Sequence, residues 1–470
     1  MSDGGPLDHQ RELLRSVVAG RRFVVVTDVL PASVIGAQQL RDNGADDVLI
    51  VATSRGTGEV APEVEAEAVV LDVHGRGIMG GIRAFERVLA EPPAELVAAV
   101  DRFDPERRAE VLGAVFVRSR TVLGRRVFGA RAPTWCALED KTTVDGVWDA
   151  AGIERALSQV VPIGSDDLGR AARRLDAGDG VVLVADNRTG WHGGGYGLRW
   201  ARSDTELSAA RDELATMADR VRMMPFLEGL PCSIHGWVVG REVVTFRPCE
   251  MVVLRESGTA RLRYAGASAT WLPRDDDREA MREVARRVGV HLRDAYDYRG
   301  VFTVDGVLAA SGFRPTELNP RFGIGLATLG RRAGLPLYLL HCATVAHPEL
   351  DWRAHDLETE VLAASLEAPA GGGSLVVEQA VTGTQELPIR RTATGVEPVD
   401  GEGVGDTDGI DGSLEVGPSP GGGLLRAAFP SLPPGPPAAP LVAAAFALGA
   451  QRFGLDLPTF VAAPDLRPRG

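Results

Sequence analysis

The sequence contains no long apolar run, although it extends over 470 residues. A transmembrane helix needs roughly 20 consecutive, mostly apolar residues, so we expect no membrane span and no membrane partner. Residues 1–16 also lack the apolar core of a secretory signal peptide. The expected location is therefore the cytoplasm.

Basic residues are too few for a general nucleic-acid-binding protein. Lys and Arg together number 51 against 64 Asp and Glu, which leaves a formal net charge of −13. A protein that binds nucleic acid through its phosphates needs a basic surplus to neutralise them. We therefore expect no nucleic-acid partner.

Cysteine is scarce, and its spacing is uninformative about metals. The four cysteines lie far apart in the sequence, and none forms a CxxC pair or a Cys/His pair with the spacing of zinc ligands. We expect reduced, buried thiols and no structural zinc site. The cysteines are Cys136, Cys232, Cys249 and Cys342.

Lysine is almost absent, because Lys141 is the only one among the 51 basic residues. A preference for arginine of this kind is typical of a GC-rich genome. A single remaining lysine indicates a site where a compact ammonium group is required and a planar guanidinium does not fit. The alternative, which stays open at this point, is that one lysine survived by chance.

The length predicts two to four domains, and the first of these alternates between short apolar strands and helices. We predict strands at Phe23–Thr27, Asp47–Ala52 and Ala68–Val73, with a helix at Leu30–Asn43. Strands separated by helix-length segments are typical of a Rossmann-like parallel sheet. No GxGxxG follows the first strand, so we predict no dinucleotide site there.

The middle of the chain is richer in hairpins. The strongest of these joins two strands through the glycine-rich loop 187–196. The predicted elements are paired strands at Val181–Ala185 and Gly197–Ala201, paired strands on either side of Gly240, a helix at Asp275–Arg293, and strands at Val301–Asp305 and Arg314–Leu318 joined by a loop that contains Gly306 and Ser311–Gly312.

The last hundred residues are rich in glycine and proline. We predict strands at Ser374–Ala380 and Glu386–Arg391, an alanine-rich helix over 439–453, and a disordered loop near 395–412, where glycine and acidic residues accumulate. Together these features favour a small, loop-rich α+β domain at the C-terminus.

The strongest chemical signal is the set Asp305, Glu317, Asn319 and Arg321. Residues at i, i+2 and i+4 of a strand point to the same face, and Asp305 lies on the preceding strand of the predicted hairpin. Two carboxylates and an amide oxygen suit Mg²⁺, and a neighbouring arginine suits anionic oxygens. The alternative is a solvated strand end with a structural Glu–Arg pair.

At these residues the chain resembles the ATP-grasp family, whose signature is an acidic residue followed about a dozen residues later by Glu-x-Asn-x-Arg. The resemblance implies an ATP-dependent ligase for small-molecule carboxylate and amine substrates. It implies that Asp305, Glu317 and Asn319 hold Mg²⁺ on the ATP phosphates. It also implies that Arg321 is catalytic and stabilises the acyl phosphate and the tetrahedral intermediate.

Three further segments resemble the same family. The resemblance implies that Lys141 contacts the ATP phosphates and that the glycines of loop 187–196 form a lid over them. It also implies that the stretch from Met224 to Leu227 receives the adenine. The implied cofactor-binding residues are Lys141, Gly193, Gly194, Gly195, Met224, Phe226 and Leu227. For the last two, a simple core position is the alternative.

The resemblance extends over roughly residues 20–365 and implies an α/β fold of ATP-grasp architecture. We predict a Rossmann-like pre-ATP-grasp domain at 1–130, an ATP-grasp domain at 131–365 with a lid subdomain at about 155–220, and the C-terminal domain at 366–470. A homodimer is an open possibility.

The sequence departs from the family at the nucleotide. The family usually has a second lysine on the strand before the lid, where this chain has Ala185; Arg188 and Arg199 are two candidates to supply the charge. The acidic residue that often reads adenine is Met224, and the ribose-binding glutamate falls at Pro231. A degenerate regulatory module and a small-molecule kinase therefore remain alternatives to the ligase.

Two other residues invite catalytic roles that we do not predict. His235 is expected to be an exposed or hydrogen-bonded strand residue. Glu228 precedes a glycine in a turn and is expected to be solvated.

Overall fold

A computed structural model describes residues 7–75, 77–330, 333–367, 369–399 and 409–469. Its first part builds one parallel sheet of order β3-β2-β1-β4, covered by helices. The elements are α1 (Asp8–Val18), β1 (Arg22–Val29), α2 (Leu30–Asp42), β2 (Asp47–Ser54), α3 (Pro62–Glu67), β3 (Ala68–Val70), α4 (Gly77–Ala90), α5 (Ala94–Phe103), β4 (Glu110–Gly113), β5 (Thr121–Val122), β6 (Arg125–Arg126), α6 (Pro133–Ala137) and α7 (Val144–Ala150). The predicted strand–helix alternation is thus present, with a shorter third strand.

Two antiparallel sheets form the middle of the molecule. The smaller has the order β7-β10-β8-β9, and the larger has the order β14-β13-β11-β15-β16. The elements are β7 (Gln159–Pro162), α8 (Asp167–Leu175), β8 (Val181–Ala185), β9 (Leu198–Ala201), α9 (Asp204–Leu214), β10 (Arg220–Pro225), β11 (Gly229–Val239), β12 (Glu242–Thr245), β13 (Cys249–Glu256), β14 (Leu262–Ser268), α10 (Asp275–Tyr296), β15 (Gly300–Ala309), β16 (Gly312–Asn319), α11 (Ile324–Gly330), α12 (Leu337–Ala346) and α13 (Ala354–Ala364). The predicted hairpins and the long helix are present.

One face of the large sheet is covered by α10, and α11 packs against part of the other face. Along β11, Leu230, Cys232 and Ile234 join a buried apolar cluster with Met281 and Leu292 of α10. Because side chains alternate between the faces of a strand, the residues between them face the other way. The site described below is built on that second face.

The predicted position of Gly306 in the β15–β16 loop is wrong. Gly306 lies inside β15, where the pairing with β16 shifts register between Asp305 and Gly306. A side chain at Gly306 would meet the Arg314 carbonyl oxygen at 2.4 Å. Glycine is therefore needed at this bulge, and the turn itself consists of Ala310 and Ser311.

The C-terminal part contains more sheet than the sequence predicts. Its five strands have the order β17-β21-β20-β18-β19. The predicted loop near 395–412 includes β19 and the start of β20, while residues 400–408 of that prediction lie outside the described residues. The elements are β17 (Gly371–Val377), β18 (Gln385–Arg391), β19 (Val396–Pro398), β20 (Gly412–Ser419), β21 (Gly422–Phe429), α14 (Ala439–Phe453) and β22 (Phe460–Ala462).

Among the described residues, no helix is both long enough and apolar enough to cross a membrane. The proposed division of the chain into 1–130, 131–365 and 366–470 stays a prediction.

Candidate active site

A cavity of about 710 Å³ lies between the small and large antiparallel sheets. Its floor is the face of the large sheet opposite α10, where Ser233, Asp305 and Glu317 lie on three adjacent strands. Its opposite wall includes Val182 of β8 and Met224 of β10. The cavity therefore has a polar end on the β15–β16 hairpin and an apolar end between the sheets.

The hairpin brings the predicted metal ligands together. Asp305 pairs with Glu317 across the two strands, and Thr303 pairs with Asn319 one position further along the same face. The Asn319 side-chain amide donates a hydrogen bond of 2.8 Å to Asp305 Oδ2, and the Ser233 hydroxyl donates to Asp305 Oδ1. All three predicted ligands line the cavity.

The predicted metal ligands include two neighbouring carboxylates, Asp305 and Glu317. Burial raises the pKa of Asp305 to about 7, and the neighbouring negative charge of Glu317 adds to the increase. Within the described part of the chain, no cluster of three His, Cys, Asp and Glu side chains is arranged to hold a metal ion. A metal site here therefore depends on two carboxylates and an amide oxygen.

Lys141 lies between the hairpin and the glycine-rich loop, as its predicted role requires. Its Nζ is 3.0 Å from Glu317 Oε1 and donates a hydrogen bond of 3.1 Å to the His192 carbonyl oxygen. One ammonium group thus joins the polar end of the cavity to loop 187–197, which we call the lid loop. The phosphate-binding role of Lys141 stays a prediction.

The lid loop folds over the polar end of the cavity. Gly193, Gly194 and Gly195 all line the cavity, and the last two adopt left-handed backbone angles, with φ of 59° and 77°, which glycine adopts without strain. The Trp191 ring stacks on Phe116 with the ring centroids 6.4 Å apart. The loop is therefore held against the first part of the chain by an aromatic contact that the sequence did not predict.

Arg321 is held by a glutamate that sequence reasoning missed. Its Nε donates a hydrogen bond of 3.0 Å to Glu139 Oε1, and one terminal nitrogen donates to Asn319 Oδ1 at 2.9 Å. Glu139 also pairs with Arg131 at 2.8 Å, and Arg118 lies 3.9 Å from its second oxygen. Burial raises the pKa of Glu139, but the arginines outweigh burial and hold it below its usual value. The sequence signal that could have pointed to Glu139 was its position directly before Asp140 and Lys141.

The predicted adenine-binding residues lie at the apolar end. Met224, Phe226 and Leu227 line the cavity, and the Phe226 ring stacks on Trp200 with the centroids 4.1 Å apart. Phe226 and Met224 also belong to a small apolar cluster with Val182. For Phe226 the core alternative and the binding prediction thus describe the same residue, because this cluster forms part of the cavity wall, whereas Leu227 lines the cavity outside the cluster.

Comparison with known proteins bears on the fold of the chain. No protein-family model and no curated protein sequence matches the chain. Solved structures do match it, among them a biotin carboxylase from Campylobacter jejuni, with 12% identity, 95% of this chain and 93% of that chain covered, and a TM-score of 0.58. The protein has the ATP-grasp fold.

Two further ATP-grasp structures show the same overall similarity. An ADP complex of N5-carboxyaminoimidazole ribonucleotide synthetase has 12% identity over 92% of this chain and 96% of its own, with a TM-score of 0.52. An L-amino acid ligase from Bacillus licheniformis has 12% identity over 88% of this chain and 94% of its own, with a TM-score of 0.50. At this identity the comparison establishes the fold and leaves the reaction to the site.

Within the ATP-grasp fold, neither predicted substitute for the second lysine reaches the cavity. Arg188 pairs with Asp219 at 3.2 Å, and Arg199 pairs with Glu213 at 2.6 Å. Neither arginine lines the cavity. Each arginine is therefore engaged with a carboxylate, and its role as the substitute stays a prediction.

Two smaller expectations are resolved by packing. Glu228 is not simply solvated, because Arg255 donates to both of its carboxylate oxygens and lowers its pKa. His235 is fully buried and hydrogen-bonded to Thr303 at 2.9 Å, so the exposed alternative is wrong. Burial lowers the pKa of His235 to about 3, and the neutral ring supports the backbone at Gly325, where a side chain would meet its Nε2 at 2.4 Å.

Proposed function

We propose that this protein is a cytoplasmic ATP-dependent ligase that joins a carboxylate to an amine through an acyl phosphate, with amino acids or short peptides as substrates. One observation carries the proposal. The carboxylates of Asp305 and Glu317, with Asn319 and Arg321, line the same cavity as the glycines of the lid loop. Among the ATP-grasp structures that resemble the chain, one is an L-amino acid ligase and others are complexes with ADP or a form of ATP.

The residues at the polar end fit a magnesium ion and a phosphate chain. Carboxylate and amide oxygens are the ligands that Mg²⁺ prefers, and the raised pKa of Asp305 reflects the cost of burying two like charges together. Asp305, Glu317 and Asn319 would hold the ion, which neutralises phosphate charge when it is bound. Lys141, which lies beside Glu317, would contact the same phosphates.

The base of the nucleotide fits the other end. Val182, Met224, Phe226 and Leu227 provide apolar surfaces on the wall of the cavity, where a planar base buries its faces. The lid-loop glycines carry no side chain, which would allow a close approach of their backbone to phosphate oxygens. The nucleotide would thus extend from the gap between the two sheets to the β15–β16 hairpin.

The proposed reaction has two steps. An oxygen of the substrate carboxylate attacks the terminal phosphorus of ATP, and ADP leaves. The nitrogen of an uncharged amine then attacks the acyl carbon, phosphate leaves with the bonding electron pair, and the departing phosphate takes up the proton that the nitrogen loses. Arg321 would neutralise the oxyanion that develops on the acyl group, while the lid loop excludes water from the acyl phosphate.

The acceptor carboxylate has an apolar neighbourhood. Beyond Arg321 the cavity is lined by Phe322, Ile324, Ala327 and Tyr338, and among its described lining residues the only acids are Asp305 and Glu317. This apolar lining supports amino acids or peptides that present an apolar side chain to this end.

A screen for ADP release tests the proposal. Purified protein is given Mg·ATP with pairs of amino acids and short peptides, and the products are identified by mass spectrometry. We expect ADP and phosphate in equal amounts, together with an amide, only when both a carboxylate and an amine are present. A stable phosphorylated product without an amide would identify a kinase, and nucleotide binding without turnover of any pair would support a regulatory module.

A further inference from the structure

At the phosphate end of the cavity, the sequence supplies one lysine fewer than the family resemblance implies. Lys141 is the only lysine, and Ala185 occupies the position where the family resemblance implies a second one. Arg188 and Arg199 form ion pairs with Asp219 and Glu213, which do not line the cavity.

The His192 ring lies next to Ala185. A side-chain carbon at Gly197 would be 3.1 Å from Ala185 Cβ and 3.4 Å from two carbons of the His192 ring, so both side chains border the same glycine. The residue is only 3% exposed, and neither ring nitrogen has a hydrogen-bond partner in the described structure. The Asp186 backbone lies close to the ring, but without normal hydrogen-bond geometry. Leaving buried polar atoms unpaired is costly, which indicates a ligand-binding role.

Arg83 approaches the same place from helix α4. Its guanidinium lies over the Tyr196 ring at 5.5 Å from the centroid, and Tyr196 in turn stacks on His192 with the centroids 5.8 Å apart. One terminal nitrogen of Arg83 is buried without a hydrogen-bond partner among the described residues. The adjacent Ile82 and Gly193 line the cavity, so the group adjoins the proposed nucleotide site.

Lys141 and Arg83 act on His192 electrostatically. Burial lowers the pKa of His192, and the positive charges of Lys141 and Arg83 lower it further. A neutral imidazole between two cations still donates one N–H to an anion. Lys141 thus contacts the backbone of His192, and Arg83 is linked to the His192 ring through Tyr196.

We propose that Arg83 and His192, together with Lys141, form the anion subsite for the phosphate chain of the nucleotide and replace the absent second lysine. This inference rests on the proposed function, because it assigns the anion to a nucleoside triphosphate. It also gives the parallel sheet a part in nucleotide binding, since α4 packs on that sheet and carries Arg83.

Nucleotide affinities of two shape-preserving variants test the subsite. His192→Phe keeps a ring against Tyr196 without the nitrogens, and Arg83→Met keeps an unbranched apolar stem without the charge. Calorimetry with Mg·ATP and with AMP should show ATP binding weakened by about ten- to a hundred-fold in each variant. AMP lacks the outer phosphates, so its affinity should stay within about two-fold.

Arg188→Gln is the matched control, because it removes a positive charge from the lid loop at a partly exposed residue that is already paired with Asp219. Its affinity for Mg·ATP should equal that of the wild type. Equal losses for ATP and AMP, or no loss for either, would overturn the subsite while the ligase proposal stands. A raised KM for the carboxylate substrate with unchanged ATP affinity would also overturn the proposed subsite. Arg83 and His192 would then bind the substrate carboxylate rather than the phosphates. A wild-type protein that binds no nucleotide would overturn the proposed function and this inference together.

Discussion

Arg321 owes its position to a buried carboxylate rather than to the strand that carries it. Glu139 is 3% exposed and is shared by Arg321 and Arg131. The guanidinium of Arg321 also lies over the lid-loop ring of Trp191, at 5.2 Å from its centroid. The Arg321 side chain therefore connects the end of the β15–β16 hairpin with Glu139 and with Trp191 of the lid loop.

We expect Arg321→Ala to lower kcat by roughly a hundred- to a thousand-fold, because it removes a preorganised donor to the developing oxyanion. Affinity for ATP should change by no more than about a few-fold, since Lys141 and the β15–β16 carboxylates remain. Nucleotide affinity, melting temperature and kcat are measured on one sample. A lower melting temperature with near-normal kcat would mean that Arg321 only anchors the strand end to Glu139.

Glu317→Gln is expected to remove most turnover while the protein stays folded. The change keeps the size of the side chain but removes the charge that faces Asp305 and Lys141. Glu154→Gln is a suitable control, because Glu154 pairs at 2.8 Å with Arg314 of the same hairpin and is exposed to solvent. Steady-state kinetics that show the same loss in both variants, or no loss in either, would contradict a metal-binding role for Glu317.

Local spacing accounts for what the sequence could predict about individual residues, and tertiary packing accounts for what it could not. Asp305, Glu317 and Asn319 lie on one hairpin, so alternation along the strands places them on one face. The contact of Arg321 with Glu139 joins residues 182 positions apart, and that of Arg83 with Tyr196 joins α4 to the lid loop. No periodicity encodes such contacts, because they depend on how separate sheets pack.

Among the elements, the lid loop differs most from its sequence-based description. Glycine at four of its ten positions from 187 to 196 predicted a loop with little anchoring. The structure adds the stacking of Trp191 on Phe116 and the hydrogen bond from Lys141 to the His192 carbonyl. The observed conformation of this loop therefore includes a few specific contacts that its composition did not indicate.

We expect Mg·ATP to slow tryptic cleavage after Arg188 in the lid loop, because bound phosphates add hydrogen bonds to a segment that opens locally. Cleavage after Arg390, an exposed residue of β18 paired with Glu397, serves as the internal reference. The two rates are followed by mass spectrometry with and without nucleotide. An unchanged ratio of the rates would count against closure of this loop over a nucleotide.

The C-terminal hairpin of β20 and β21 shows why a strand can escape notice in a glycine- and proline-rich segment. Leu414 and Val416 alternate inward, as do Leu425 and Ala427 on the partner strand. The pattern was present, but composition favoured a loop. Gly422, with φ of 131°, lies at the turn, where a side chain would meet the Val377 carbonyl oxygen at 2.4 Å.

At the scale of the whole molecule, the chain after α14 returns to the large central sheet. Strand β22 pairs with β13, and the Trp271 indole donates a hydrogen bond of 3.2 Å to Asp465. Ala463, which follows β22, lines the cavity. The C-terminal sheet is thus tied to the site through its last residues, an arrangement that composition alone could not indicate.

The terminal residues also form an ion pair that should support the whole assembly. Arg467 Nε donates to both oxygens of Asp277, at 2.9 and 2.8 Å, in the first turn of α10. The Asp277 side chain is 6% exposed, whereas that of Arg467 is 23% exposed. Loss of the arginine would therefore leave a buried carboxylate with its main partner missing.

We expect Arg467→Ala to destabilise the protein by about 1–3 kcal/mol, the typical cost of leaving a buried charged group without its hydrogen-bond partner. Partial exposure of Arg467 argues for the lower half of this range. Arg469→Ala provides the control, because Arg469 pairs at 3.0 Å with the exposed Asp275 of the same helix turn, and exposed pairs contribute about 0–1 kcal/mol. Urea unfolding followed by tryptophan fluorescence should give a lower midpoint for Arg467→Ala only. Equal midpoints for the two variants would show that the C-terminal segment is dispensable for holding α10 against the central sheet.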